Sequence, residues 1–461
     1  MNVQKIIIQI CAIICICSYP CYARDIYVAI DGDNSNTGKS GSPYQTIKHA
    51  IESSASGDTI HVRAGIYAES WLTPKEGTEL VSEDGIHMAV IYSGDKSAVR
   101  LTNNNSGIDG FEIYGDWNQG SAGDGLIRPL WSNNVWIKNC KVYNAPYDCD
   151  VIKVGADNVL IENCIIFNPA HRTDGTSFQE CIDIYGDPAP NGVTVRGCWI
   201  YHTQERKGDY LIYAKGGSKN ILWENNLFGP SAGEPNGNVS VGCGAASPSV
   251  FPSCENFIAR NNIFAGCTGD AAFGFTGAKN AHVYNNVFYN YKGNRCMIQF
   301  YSAQPGGFDR NEDCYVINNI FMQSNGKPVY QDRGRWSDGA YSYIPENFQS
   351  DYNIYYQVET SENQNDVDIL IEQNSIFENP GFVLPTVPDV GTGLMEDIVS
   401  GFQLQKDSPA INAGLNILDN APYNVPNDFW GTVRPNGAYT DIGINEVLHG
   451  GLPLPANLKI Y

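Results

Sequence analysis

The chain has 461 residues, with 50 acidic against 29 basic side chains and a formal net charge of −21. Such an acidic excess excludes nucleic acid and anionic membrane surfaces as natural partners, and it repels a polyanion unless cations or a local basic patch compensate. Gly (47) and Tyr (27) are abundant and only 17% of residues are charged; turn-forming, β-branched and aromatic residues dominate over helix-favouring ones, which reads as all-β.

Residues 1–23 carry one lysine, then an apolar run, then small residues near Ala23. This pattern predicts a secretory signal peptide cleaved after Ala23. The run is short for a membrane span, and no later stretch is long enough to cross a bilayer. The mature chain is therefore expected to be exported (periplasmic or extracellular), soluble and monomeric. All but Cys11, Cys15, Cys17 and Cys21 of the 14 cysteines lie beyond the signal. Export permits disulfides, and Cys243 and Cys254, which flank a loop, can pair. No CxxC pair or His/Cys spacing indicates zinc.

Residues 24–100 open with "YVAIDGDNSNTGKSGSPYQTIKHAIESSASGDTIHVRAGIYAE", short runs broken by turn residues. From 101 to 356 a segment recurs: "VWIKNC", "VLIENC", "VTVRGC", "ILWENN", "FIARNN", "AHVYNN" and "YVINN". The copies end at Cys140, Cys164, Cys198, Asn226, Asn262, Asn286 and Asn319, in steps of 24, 34, 28, 36, 24 and 33 residues. A short period with insertions indicates a stacked solenoid. With no helical periodicity, short strands and Asn/Gly corners predict a right-handed parallel β-helix with coils about 4.8 Å apart. Asn at the corner tolerates left-handed backbone and can hydrogen-bond its copies above and below. Cys140, Cys164 and Cys198 share one ladder position and read as a buried stack of thiols. From 357 to 461 the pattern loosens into a C-terminal extension expected to pack on the last coils.

The opening stretch, together with "FQLQKDSPAINAGLN" and "DFWGTVRPNGAYTDIGINE" near the end, resembles secreted bacterial β-helix proteins: the pectate-lyase-like enzymes and relatives of the alginate and chondroitin lyases. In those families "PYQTIKHAI" resembles the short helix that caps the first coil, where a bare end would expose core and strand edges. The resemblance implies one capped solenoid acting on an acidic polysaccharide.

Three strands can be aligned: "DVIKVGADN" (150–158), "ECIDIYGD" (180–187) and "DYLIYAKGGSKN" (209–220). Alternation sends Ile152, Val154, Ile182 and Ile184 inward and Lys153 and Asp183 outward. Lys215 faces out, since lysine is almost never buried unpaired. The alignment makes Lys153, Asp183 and Lys215 one column across three coils, with Arg128 extending it through a one-residue slip. The loops 167–175 and 201–209 also correspond, setting Asn168 over His202, His171 near Glu205 and Arg172 near Arg206, with Lys207 beside them. An acidic chain thus gathers bases on one face. The plain alternative is a set of ordinary surface ion pairs, each worth about 0–1 kcal/mol.

β-Elimination on a uronate needs the sugar carboxylate neutralised, a base for the C5 proton and a proton for the leaving oxygen. Lys215 is the expected base, if neighbouring cations depress its pKa. Asp183, Arg206 and His202 complete the catalytic set. Arg206 or Arg172 can neutralise the carboxylate, and Lys153, Arg172, His171, Lys207 and Tyr213 line the substrate. Glu180, Asp183 and Asp209 can hold Ca²⁺ through oxygen ligands. The adjacent aspartate pair of the calcium-dependent pectate lyases of this fold is missing. Two other readings stay open. One is a glycoside hydrolase pairing Asp183 with Glu180, Glu205 or Asp209, which needs carboxyls about 5–9.5 Å apart. The other is a non-catalytic glycan-binding solenoid using Tyr185, Tyr213, Trp223 and Tyr301.

Overall fold

The computed structural model describes residues 23–116, 125–169, 179–203, 208–231, 239–244, 251–301, 311–324, 326–332, 345–359, 371–390, 393–417 and 424–448. All of the expected signal segment 1–23 but Ala23 lies outside them, and so do His171, Arg172, Glu205, Arg206 and Lys207. Among the described residues no helix is long and apolar enough to cross a membrane.

The recurring segments wind into a right-handed parallel β-helix, as the period requires. Strands of successive coils pair in parallel to give a 19-stranded and an 11-stranded sheet. Each coil turns through three faces. Two of them belong to the larger sheet and are joined where strands β2 (Gly125–Lys138) and β3 (Asp150–Glu162) run on around the corner, with a register shift between Gly155 and Asp157. The face that carries the candidate site begins with β1 (Val99–Leu101), continues through the first halves of β2 and β3, and passes to β4 (Glu180–Ile184), β5 (Tyr210–Ala214) and β6 (Val241–Cys243).

Inside the solenoid, like residues stack on like. Ile127, Ile152, Ile182, Ile212, Val241 and Phe273 stand opposite one another coil after coil, all fully buried. Each removes a Val-to-Phe-sized side chain from water, worth about 1.5–3 kcal/mol. Elsewhere in the core Phe228, Phe264, Phe288, Phe321 and Tyr355 form a stacked file.

The repeated corner divides its work between two residues. The first takes the left-handed backbone: Asn139, Asn163, Gly197, Asn225, Asn261 and Asn285 all have positive φ. The second forms the ladder. The backbone N–H of Asn262 donates to Asn286 Oδ1 at 2.9 Å, that of Asn286 to Asn319 Oδ1 at 2.9 Å, and that of Asn319 to Asn353 Oδ1 at 2.9 Å. Earlier coils replace these asparagines with Cys140, Cys164 and Cys198, which are buried free thiols as read from the sequence. Cys243 and Cys254 are also buried free thiols, so the disulfide their spacing allows is not formed.

At the amino-terminal end, helix α1 (Ile47–Ser53) lays Ile47, Ala50 and Ile51 on the first coil. Thr46 Oγ1 accepts the His49 N–H, and the Glu69 carboxylate accepts those of Ile47 and Lys48. These contacts satisfy donors that a helix start leaves open. At the other end, helix α2 (Met395–Ser400) and the segments around it pack Met395, Phe402, Phe429 and Ile442 over the outside of the 11-stranded sheet, against Trp199, Leu227, Val287 and Ile320. Arg434, fully buried, pins this layer through Glu446 at 3.1 Å and Asn261 at 3.3 Å.

Candidate active site

On the outer side of β3, β4 and β5 the sequence alternation holds for Lys153 and Asp183, which stand directly opposite each other. The third member of that row is Tyr213, not Lys215. This corrects the column read from the sequence. Glu180 faces Tyr210, and Ile184 faces Ala214, so Lys215 falls in the next outward row, beside Tyr185. Arg128 needs no slip: Ile127 opposes Ile152, which sets Arg128 opposite Lys153, and Arg100 lies opposite Arg128.

Lys215 nevertheless reaches the cluster. Its Nζ lies 2.8 Å from Glu180 Oε1 and 3.1 Å from Asp183 Oδ1. Lys153 Nζ lies 3.0 Å from Asp150 Oδ2 and 3.1 Å from Asp183 Oδ2. Asp183 therefore bridges the two ammoniums. The acids are almost wholly buried and each lysine side chain is about one-fifth exposed, at 21% and 23%. The ring of Tyr185, 46% exposed, lies beside Lys215 with its centroid 5.8 Å from Nζ.

The expected metal set is revised. Asp150, Glu180 and Asp183 each turn an oxygen to a common point, with the three atoms within 4.8 Å of one another. Asp209 is outside this group: it sits one residue before Tyr210, the partner of Glu180, and is itself buried. Asp150, which the sequence reading passed over, takes its place. Its signal was its position at the head of the aligned strand, matching Glu180. Asp183 Oδ1 is buried without a well-directed hydrogen bond, despite its closeness to Lys215. Three convergent carboxylates are the donor type a hard divalent cation such as Ca²⁺ takes, and such a cation would compete for them with Lys153 and Lys215.

The charges explain the protonation states. Burial alone would lower the pKa of Lys215, but Glu180 and Asp183 more than reverse this and hold it above the usual lysine range. Asp150 and Asp183 do the same for Lys153. Burial pushes the Glu180 carboxyl well up, with Lys215 opposing and Asp183 and Asp150 adding to the rise. Against the three carboxyls stand the ammoniums of Lys153 and Lys215 and, from the neighbouring coil, the Arg128 guanidinium, which Asp150 and Asp183 help keep charged. Glu180 is a carboxyl whose protonation burial strongly favours.

Two other expected residues do not open onto the site. His202 is 2% exposed, and burial lowers its pKa to about 3, so it is a neutral interior ring rather than a presented imidazole. Tyr213 is buried too: it stacks on Tyr210 with centroids 4.3 Å apart and lies over Gly242 of the next coil. A Cβ at Gly242 would come within 1.7 Å of that ring. Tyr213 walls the cluster instead of offering a face to a sugar. Trp223 is likewise a core residue.

Compared with known proteins, residues 130–321 match the family model described as "Right handed beta helix region", and residues 30–73 match one described as "Protein of unknown function (DUF1565)". No curated protein matches the chain. Among solved structures, it is similar to the pectate lyase Pel9A, with a TM-score of 0.61 and 16% identity over 92% of this chain and 96% of that one. It is also similar to a rhamnogalacturonan lyase (TM-score 0.52, 14% identity, 83% and 99% coverage). A third likeness is to XylC in complex with xylose (TM-score 0.51, 12% identity, 92% and 98% coverage). At these identities the likeness is one of fold, and the fold is the right-handed parallel β-helix.

Proposed function

We propose that this protein is a polysaccharide lyase that cleaves a uronate-containing glycan by β-elimination, with Lys215 as the base. One observation carries the reading: a partly buried lysine shares its two carboxylate partners with a set of oxygens that suits a divalent cation. Two of the structural neighbours named above are polysaccharide lyases, which supports it.

In the reaction the C5 hydrogen passes to the base as a proton. Its electron pair forms the C4–C5 double bond, the bond from C4 to the bridging oxygen breaks, and that oxygen takes up a proton. Bound at Asp150, Glu180 and Asp183, a divalent cation would hold the sugar carboxylate and stabilise the charge that builds beside C5. Glu180 and Asp183 hold the Lys215 proton, and burial opposes them, so any cation that engaged those two acids would lower the Lys215 pKa toward that of a working base. Tyr185, exposed beside Lys215, offers its ring to the sugar face. Export through the signal read at 1–23 would bring the chain to such a substrate.

A glycosidase pair needs one carboxyl as acid and one free as nucleophile or base. Here Glu180 and Asp183 are both tied to the same lysine, which disfavours the hydrolase. The test is a screen on pectate, alginate, glycosaminoglycans and neutral plant glycans, with and without chelator, reading ultraviolet absorbance of the unsaturated product. Lys215→Ala should abolish that signal and leave the circular dichroism unchanged. Full activity in the variant, or new reducing ends without the absorbance, would overturn the proposal.

A further inference from the structure

The far edge of the site face carries an irregularity. Leu130 stands opposite Gly155 and Asn133 opposite Asp157, so Trp131 and Ser132 together oppose Ala156 alone. This is a β-bulge, a device that re-aims a side chain beside a site. Ser132 turns inward, where its hydroxyl donates to the Leu101 carbonyl at 2.7 Å. Trp131 turns outward and is 71% exposed. Among the described tryptophans no other is exposed: Trp71, Trp136 and Trp430 are half-buried, and Trp199 and Trp223 are buried.

The ring is held where it is. Trp131 has a φ of 54°, a left-handed conformation unfavourable for a bulky residue and suited to glycine. Gly216 takes that place three coils on, following Lys215 as Trp131 follows Leu130, with a φ of 69°. Backbone strain of this kind clusters where a ligand is gripped. The indole also has a fixed direction, since its Nε1–H donates to the Asp187 carbonyl, two coils away, at 3.2 Å. Trp131 thus reaches along the solenoid toward the coil of Asp183. Tyr185, two residues before Asp187, continues the line. A Cβ on Gly216 would meet the Tyr185 ring at 2.5 Å, so that ring leans onto the coil of Lys215, where its centroid lies 5.8 Å from Nζ. From the coil of Leu130 to that of Lys215 is three steps, about 14 Å. Two exposed rings therefore line this edge up to the lysine.

We infer that Trp131 is a sugar-stacking residue, whose indole takes the apolar face of a pyranose ring on the amino-terminal side of the cleaved bond. The inference rests on the lyase reading for the position of that bond, but its test reads binding and needs no turnover. An indole supplies a large, rigid contact without charge. Such a contact escapes the repulsion that a net charge of −21 imposes on a polyanion.

The experiment measures calorimetric affinity of the full chain, in a Lys215→Ala background, for homo-oligouronides and neutral plant oligosaccharides of two to six residues. Trp131→Ala should weaken binding of the longer oligomers about tenfold, and Trp131→Phe about threefold. The loss should stay the same as salt rises, whereas a lost charge contact would shrink. Tryptophan emission should shift to the blue on binding, and Trp131→Ala should abolish the shift. Trp131→Gly should bind as weakly as Trp131→Ala without lowering the unfolding midpoint, because it relieves the left-handed backbone. A lowered midpoint with unchanged affinity would make the ring structural and overturn the inference. If wild type cleaves a polyuronate and Trp131→Ala binds it undiminished, the stacking role is wrong while the lyase reading stands. If an oligosaccharide shows the tenfold loss and the blue shift but wild type releases no unsaturated product, the stacking role stands and the lyase reading falls. If the protein neither binds nor cleaves any of them, both fall.

Discussion

Replacing Lys215 by Met is the most direct probe of the charge balance in the site. It removes one of two ammoniums from three buried carboxylates while keeping a flexible apolar stem. Taking one partner from a buried ion pair costs about 3–5 kcal/mol. The Lys215 side chain is 23% exposed, which argues for the lower end, about 3 kcal/mol. The pH dependence follows from Glu180, whose carboxyl burial already holds well above its ordinary value of 4.5 and whose chief stabilising partner is Lys215. An acid with a raised folded-state pKa binds a proton that the unfolded chain releases. The penalty is therefore present above the folded pKa and vanishes as the pH falls below the unfolded one. Chemical denaturation of wild type and Lys215→Met should show the largest gap at pH 8 and a gap at least halved at pH 4. Added Ca²⁺ should stabilise the variant more than wild type, because a like charge beside the cation is gone and ligand stabilisation grows with affinity. A gap that is equal at pH 4 and pH 8 would show that Lys215 contributes packing alone, and the shared use of Glu180 and Asp183 would be refuted.

Two further expectations concern the frame around the site. Gly242→Ala should destabilise the protein by about 1–3 kcal/mol, the usual range for an overpacked position, because the new methyl would meet the Tyr213 ring at 1.7 Å. Adding Tyr213→Ala should recover part of the loss in a double-mutant cycle by denaturation. Asn286→Ala should cost about 2–4 kcal/mol, since it strips the acceptor of the Asn262 N–H and takes the side-chain amide donor from the carbonyls of Ala259 and Tyr284, the latter still accepting the Asn261 N–H. An isosteric Asn286→Leu that proved neutral would show that the ladder fills space and does no more.

The fold was legible because its signals are local and repeated. The recurring "NN" and "NC" corners, the inward file of Ile152, Ile182 and Ile212, and the outward pair of Lys153 and Asp183 all follow from strand alternation. What the corners did not reveal is that adjacent asparagines have different tasks, one set by backbone φ and the other by the ladder. The register of the third strand was missed for a physical reason. Setting Lys215 against Asp183 puts Ile212 against Glu180, whereas the true partner is Tyr210, two residues earlier. Outward positions recur every two residues, so Tyr213 and Lys215 have the same alternation phase, and hydropathy cannot choose between them. The choice depends on Gly242, whose missing side chain makes room for Tyr213 one coil away. For His202 the sequence gives a loop address but no burial, and burial is what decides its charge.

The displaced register changes what the lysine can do. A lysine at position 213 would lie directly opposite Asp183. From the row of Tyr185, Lys215 comes back diagonally over one coil and touches two acids at once, at 2.8 and 3.1 Å. Its proton is then held by the same oxygens that face the common point shared with Asp150. Anything positive that engages those oxygens weakens the hold on the proton, and anything that leaves them free strengthens it. The wall of Tyr213 and Tyr210 keeps water from that side and so keeps the coupling strong. On the proposed lyase reading, Lys215 is a base masked by these acids, and a cation arriving together with an acidic sugar would unmask it.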